Sequence, residues 1–379
     1  MHQHGVPSHG QQHGTHALTA AGAQRRRPPA APGDDENRTV NANTSPALLL
    51  ARVEIPCGRT VSPRAVRLTA RTLGTFAAAL ILAAANSGAA QPSALTVNAG
   101  ERLVVVAPHP DDETLGAAGL IQRVIERGGT VRVVLVTAGD GYVEAVVHET
   151  GEPRPRPTEY VAYGERRLRE ARLALRELGG DGIRAEHLLG FPDGGIEPLL
   201  TAHWRRTHPE RSSTTGAVEP PYPEAEHPDV TYDGDDLRAA LVRCFTEVQP
   251  SMIAFPDPLD KHPDHRATGR FTLLAVKDLK RRPHASQPLL LAYLVHWPNW
   301  PPGWDAADLS TSADTAALAL PPNLPGRGLP RVVLTLSDTE VVAKRRALAR
   351  YASQQQVTPA LLAAFARRTE PFTLFTGAE

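Results

Sequence analysis

From about residue 97 the chain alternates between short, wholly apolar runs and longer stretches with helical spacing. Residues 102–107 (RLVVVA) are a short, β-branched, apolar run, as expected of a parallel strand buried on both sides, and residues 131–137 (VRVVLVT) read as the second strand. Between them, residues 114–127 carry a helical pattern stopped by Gly128-Gly129. A loop rich in Pro and Arg (151–157) leads into a long predicted helix at about 159–178, ended by Gly179-Gly180. Residues 187–191 read as a third strand, 235–248 as a helix, 251–255 as a strand and 267–280 as a helix. Strands at 289–296 and 331–336 precede a helix from 338 to about 353 and a shorter one near 358–368. This alternation predicts an α/β fold, a three-layer Rossmann-like sandwich with a mainly parallel sheet and no internal repeat.

Two regions break the pattern. Residues 200–233 are polar, Pro-rich and aperiodic, which suggests a lid, a specificity loop or a disordered insertion. Residues 1–70 carry Gly, Gln, Pro, Asn and Arg25-Arg26-Arg27 without apolar periodicity and read as a disordered, low-complexity region. Five histidines in the first 16 residues (His2, His4, His9, His13, His16) belong to that tail, which reads as solvated before it reads as metal-binding. Within residues 71–92 lies an apolar run, 73–85 (LGTFAAALILAAA), preceded by Arg64, Arg67 and Arg71 and followed by Ser87-Gly88-Ala89-Ala90. A positive flank, a short apolar core and a small-residue exit form a secretory signal, and the run is short for a membrane span. The expectation is export, to periplasm, cell surface or medium, with translation starting later than Met1 and no stable membrane insertion after cleavage. An uncleaved anchor or a cytoplasmic buried helix are the alternatives. The folded domain is expected at 97–379.

Composition adds mainly exclusions. Lys+Arg and Asp+Glu both number 41, so no net field points to nucleic acid or an anionic membrane. The two cysteines, Cys57 and Cys244, are too few for a disulfide framework or a Cys-rich zinc site, so a metal centre must be built from His and carboxylates.

The densest polar clusters stand where such a sheet binds ligands, beyond the carboxyl ends of strands. RLVVVA runs into Pro108-His109-Pro110-Asp111-Asp112-Glu113, and the strand 251–255 runs into DPLDKHPDH, residues 257–265. Singly, each residue has an ordinary explanation: His109 as a hydrogen-bonded loop residue, Asp111 and Asp112 as caps at a helix N-terminus, His262 and His265 as surface groups. Together they ask for more, because adjacent carboxylates repel unless a cation lies nearby. A hydrolytic metal site uses three protein ligands, a base for water and a donor for the oxyanion, and the two clusters hold candidates for all of these.

The pair His109-Pro110-Asp111-Asp112-Glu113 and His262-Pro263-Asp264-His265 resembles the PIG-L/LmbE-like family of zinc N-deacetylases. The likeness extends over most of residues 100–375. It includes Thr137-Ala138-Gly139-Asp140-Gly141, the spacing Arg167-x-x-Glu170-x-x-x-Ala174-x-x-x-Leu178-Gly179, Leu189-Gly190-Phe191-Pro192-Asp193-Gly194, and Ala347-Leu348 with Tyr351-Ala352-Ser353-Gln354. One departure is Pro108, where many relatives have Ala. The resemblance implies that His109, Asp112 and His265 hold Zn2+, or another divalent ion such as Fe2+. It implies that Asp111 is the general base, that His262 polarises the acyl oxygen, and that Asp264 orients a histidine from behind. Asp140, Arg167 and Asp193 are implied near the substrate.

The implied activity is removal of an N-acetyl or N-acyl group from an amino-sugar or N-acetylglucosamine conjugate, a small-molecule or glycan partner. Other linear N-acyl amides and an exported, non-catalytic sugar-binding protein are the alternatives, and the oligomeric state is left open. A dinucleotide site is disfavoured, since the first strand lacks Gly-x-Gly-x-x-Gly and pyrophosphate would meet three carboxylates. Trp204 and Tyr222 in the insertion, and Trp297, Trp300 and Trp304, are read equally as a sugar-stacking rim and as loop packing.

Overall fold

The computed structural model describes residues 92–180, 183–304, 317–326 and 328–375. The low-complexity region 1–70, with Cys57 and the tail histidines, lies outside them, as does the signal-like segment 71–92 apart from Pro92. Chain contacts separate Met1–Ala79 from Leu80–Glu379, and the described residues belong to the second unit. Among the described residues no helix is long and apolar enough to cross a membrane.

The strands are β1 (Ser93–Ala94), β2 (Arg102–Ala107), β3 (Thr130–Thr137), β4 (Ile183–Phe191), β5 (Met252–Pro256), β6 (Leu289–Tyr293), β7 (Arg331–Thr335) and β8 (Thr369–Phe375). The helices are α1 (Asp112–Glu126), α2 (Val143–Thr150), α3 (Pro157–Gly179), α4 (Ile196–Leu199), α5 (Gly234–Val248), α6 (Pro263–Leu279), α7 (Asp338–Leu348), α8 (Ala352–Gln355) and α9 (Pro359–Ala364). The strands form one eight-stranded sheet in the order β1-β7-β8-β6-β5-β2-β3-β4. All pairs are parallel except β6/β8 and β7/β8.

Because successive strand residues face opposite sides, a run with no polar position must feed two cores. Leu103 and Val105 of β2, Val133 of β3, Ala254 of β5 and Leu291 of β6 enter one apolar cluster with α1, α3 and α7 residues. Val104 and Val106, Val134, Ile253 and Leu290 enter a second, with α5 and α6 residues. Helix layers therefore cover both faces, and the three-layer sandwich is observed. The two glycines of α1 are contact points: a Cβ at Gly116 would strike the Tyr293 ring, and one at Gly119 would lie 2.7 Å from Leu336. They serve helix packing and not a phosphate.

Several boundaries differ from the pattern-based expectation. The helix expected to 353 ends at Leu348, and Tyr351 is the N-cap of the separate short α8. The helix expected at 358–368 stops at Ala364, and the chain then forms β8, which no pattern predicted. Pro371 within β8 disguised it, since proline cannot donate to a ladder. Helix α2 was also not anticipated. The insertion 200–233 is packed against the domain: Tyr222 and Tyr232 are buried, and Glu210 and Tyr232 donate backbone N–H groups to the Tyr232 and Val218 carbonyls.

Candidate metal centre and its cavity

Strands β2 and β5 are neighbours in the sheet and run parallel, so their exits lie side by side. After β2 the chain turns sharply into α1. Asp111, immediately before the helix, has φ of 138°. That conformation costs a non-glycine residue about 1–3 kcal/mol and persists only where surroundings fix it. Here they do. The Asp111 N–H donates to Glu113 Oε2 (3.1 Å), while Glu113 Oε1 accepts from Thr114 Oγ1 (3.2 Å) and from the Tyr351 hydroxyl. Arg167 of α3 donates to the Pro110 carbonyl (2.8 Å), the Gly139 carbonyl (2.9 Å) and Asp111 Oδ2 (2.9 Å).

After β5 the turn is held by one carboxylate. Asp260 Oδ1 accepts the His262 N–H (2.9 Å), and Oδ2 accepts the N–H groups of Val295 (2.9 Å) and His296 (3.0 Å). The same Oδ2 lies 3.4 Å from His265 Nδ1. His262 precedes α6, with Pro263 at the first helical position, and His265 lies one turn along.

The two exits bring three ligand-type atoms together. His109 Nδ1 lies 3.2 Å from Asp112 Oδ2, His265 Nε2 lies 3.2 Å from the same oxygen, and the two nitrogens are 3.3 Å apart. Ligands at 2.0–2.1 Å from a tetrahedral centre stand about 3.3–3.4 Å from one another, so this triangle fits one face of a divalent ion's shell. On its other edge, His109 Nε2 faces Asp193 Oδ1 (3.1 Å) and Asp264 Oδ2 (3.5 Å). Ligand-type atoms also gather in His109 with His262 and His265, and in His109 with Asp193 and Asp264 along that edge. The last group is the weaker choice. Asp264 already accepts the Gly194 N–H (2.6 Å) and the Ile196 N–H (3.1 Å), and Asp193 Oδ2 accepts the Gly141 N–H (2.6 Å). These two acids stand behind His109, as Asp260 stands behind His265.

Electrostatics point the same way. Burial opposes a proton on His109, yet Asp193, Asp112 and Asp264 hold its pKa well above the usual value. Burial likewise opposes protonation of His265, but Asp112 and Asp260 raise it to about 9. Burial also works against an ionised Asp112, but His265 and His109 outweigh it and bring its pKa far down. Carboxylates thus surround two imidazoles and favour positive charge there, and a cation held by these residues would supply the same balance with both rings neutral. Burial raises Asp111 to about 7, opposed by Arg167 and helped by Asp112 and Glu113. His262 is pushed down to about 2 by burial and by the neighbouring His109, His265 and His296.

His109, Asp111, Asp112, Arg167, Asp193 and His262 all line one cavity of about 360 Å³. Asp140 does not line it; its carboxylate is buried behind the wall and accepts a hydrogen bond from Tyr222, with its pKa raised to about 7 by burial and then by Asp193. Trp204 stacks on Phe271 at 6.0 Å, and Tyr222 is buried, so neither forms a sugar rim. Pattern reading assigned no role to Asp260, His296 or Tyr351. His296 had a usable signal, standing just beyond a strand, as His109 and His262 do. Its ring is 4.7 Å from His265 and 5.1 Å from His262.

The family model described as PIG-L, GlcNAc-PI de-N-acetylase, matches residues 104–276. A 1D-myo-inositol 2-acetamido-2-deoxy-alpha-D-glucopyranoside deacetylase of Mycobacterium sp. (strain KMS) is 32% identical over 187 residues, 46% of this chain and 50% of the relative. The chain thus spans about half the length of that relative. The protein of the same description from Rhodococcus opacus (strain B4) is 31% identical over 283 residues, 68% of this chain and 83% of the relative. The conserved protein TT1542 from Thermus thermophilus, a solved structure, is 22% identical with a TM-score of 0.42, covering 72% of this chain and 94% of its own.

Proposed function

This chain belongs to the PIG-L, GlcNAc-PI de-N-acetylase family, and from that premise we propose that it hydrolyses an N-acetyl or N-acyl group from an amino-sugar conjugate with the help of a bound zinc ion. The observation that carries the proposal is the triangle of His109 Nδ1, Asp112 Oδ2 and His265 Nε2, with edges of 3.2, 3.2 and 3.3 Å, whose members His109 and Asp112 line the same cavity as Asp111. Two nitrogens and one carboxylate oxygen at this spacing suit zinc and leave a position open for water or substrate. A zinc ion held there would supply a Lewis acid able to acidify water and polarise a carbonyl.

The remaining work falls to the chain's own groups. Asp111 takes the proton of the attacking water; its burial makes it a stronger base than an exposed carboxylate, and Arg167 keeps it aimed. His262, neutral in this setting, donates a hydrogen bond to the acyl oxygen as negative charge develops there. The proton gathered on Asp111 is then available to the leaving amine. Asp193 and Asp264 stand against the far edge of the His109 ring, and Asp260 against that of His265.

The test is an acetate-release screen over N-acetylated sugars, with and without chelator. Release that stops with chelator and returns with zinc is expected; release that ignores the chelator contradicts the proposal. We further infer export, supported by residues 73–85 behind Arg64, Arg67 and Arg71. N-terminal sequencing of secreted protein tests this, and a cytosolic product starting at Met1 contradicts it.

A further inference from the structure

Beside the metal-site cavity lies a second recess of about 370 Å³, lined chiefly by Lys261, Trp297, Trp304, Pro359 and Leu361. The two share His296, Thr358 and Leu361 in their walls, so they lie side by side. Among its described lining residues there is no carboxylate.

The tryptophans here differ in role. Trp300 is 6% exposed, meets Phe365 edge-on at 5.4 Å and donates its indole N–H to the Ala319 carbonyl (2.8 Å); it packs the loop. Trp297 spends its indole N–H on Asn323 (2.8 Å) and receives Lys261 Nζ over its ring at 4.6 Å. Trp304 is 42% exposed, one of few large apolar side chains left open. The loop that carries them is rigidly tied. Asp260 holds Val295 and His296, Trp300 N–H donates to the Trp297 carbonyl (3.1 Å), Trp304 N–H donates to the Pro301 carbonyl (3.2 Å), and Arg367 donates to the Pro302 carbonyl (2.6 Å). These bonds hold the loop so that the open Trp304 indole and the Trp297 ring both face the recess.

We propose that this recess is a subsite for the second pyranose ring of an amino-sugar conjugate, the ring joined to the one that carries the scissile amide. The inference rests on the deacetylase reading above and adds to it where the rest of the substrate lies. The C–H face of a pyranose is apolar and slightly positive, and an indole face is negative, so the two stack; the hydroxyls at the ring edge remain in water at the open side. A long acyl chain would instead favour a closed, aliphatic channel.

Calorimetry on the zinc-loaded protein tests the subsite without turnover, using chitobiose as a two-ring amine and glucosamine as its one-ring counterpart. The wild type is expected to bind chitobiose about tenfold more tightly, roughly 1.4 kcal/mol. Trp304→Ala should reduce that ratio to within about twofold, and Trp304→Phe should retain most of it, because a stacking face survives. Equal affinity for the two ligands in the wild type, or equal weakening of both by Trp304→Ala, overturns the subsite. So does a preference for N-octanoylglucosamine over N-acetylglucosamine that Trp304→Ala abolishes, which would make the recess an acyl channel. Absence of acetate release with the binding ratio intact would defeat the deacetylase reading and leave the ring subsite standing.

Discussion

The exits of β2 and β5 lie side by side and contribute to one site, yet they are built in opposite ways. The β2 exit is strained: Asp111 sits at φ 138° and is restrained by Glu113, Tyr351 and Arg167, groups drawn from three separate parts of the chain. The β5 exit is relaxed, with Pro263 opening α6 and Asp260 collecting three backbone N–H groups of its own and the neighbouring turn. Strain is concentrated where a side chain must be aimed at a reacting atom. The relaxed turn holds histidines still.

This difference predicts distinct responses to mutation. The largest effect is expected on the strained side: Asp111→Asn should cut turnover on the order of 10²- to 10⁴-fold, the usual worth of a general base, while leaving zinc content unchanged. On the relaxed side, Asp260→Asn should act through the metal. Loss of the carboxylate behind a ligating histidine should weaken zinc affinity about 10- to 100-fold, readable by competition with a chelator. A result in which Asp260→Asn lowers turnover at saturating zinc as much as Asp111→Asn would erase the contrast.

Tyr351→Phe probes the restraint on Asp111 more finely. It removes one hydrogen bond to the buried Glu113, and a fall in kcat of several-fold, with KM and zinc content held, is expected from the loss of about 1–2 kcal/mol of positioning. An unchanged kcat would mean that Arg167 alone fixes Asp111. The smallest effect on catalysis concerns the fold. Lys344 and Glu370 form a buried pair at 2.8 Å, and Glu370 also caps the N–H groups of Gly119 and Leu120 in α1. Glu370→Gln should lower the unfolding free energy by about 3–5 kcal/mol, measured by denaturant titration, while activity per folded molecule is nearly unchanged.

The same contrast governs what could be read from the sequence. The two His/Asp clusters were legible because each is a contiguous motif at a strand end, where adjacent carboxylates need a cation, whereas the choice of His109, Asp112 and His265 among them is what the family resemblance implies. The sandwich was legible because β2 beyond Arg102, β5, and β3 beyond Arg132 are almost wholly apolar and buried. What escaped depends on distant partners. Tyr351 meets Glu113 across 238 positions, and Asp260 acts on the amides of residues 295 and 296. The ordered insertion was hidden for a similar reason: its stability comes from single buried aromatics, Tyr222 and Tyr232, and from scattered backbone bonds that leave no period. Asp140, read as a substrate residue, is turned to Tyr222 by that insertion.

The central claim is that His109, Asp112 and His265 hold one catalytic zinc ion and Asp111 does not. Zinc titration of chelator-stripped protein, followed by calorimetry alongside acetate release, tests it directly. One equivalent of tight zinc is expected in the wild type and in Asp111→Asn, with turnover only in the former, and no tight zinc in His265→Ala. Tight zinc retained by His265→Ala, or lost from Asp111→Asn, would contradict the account.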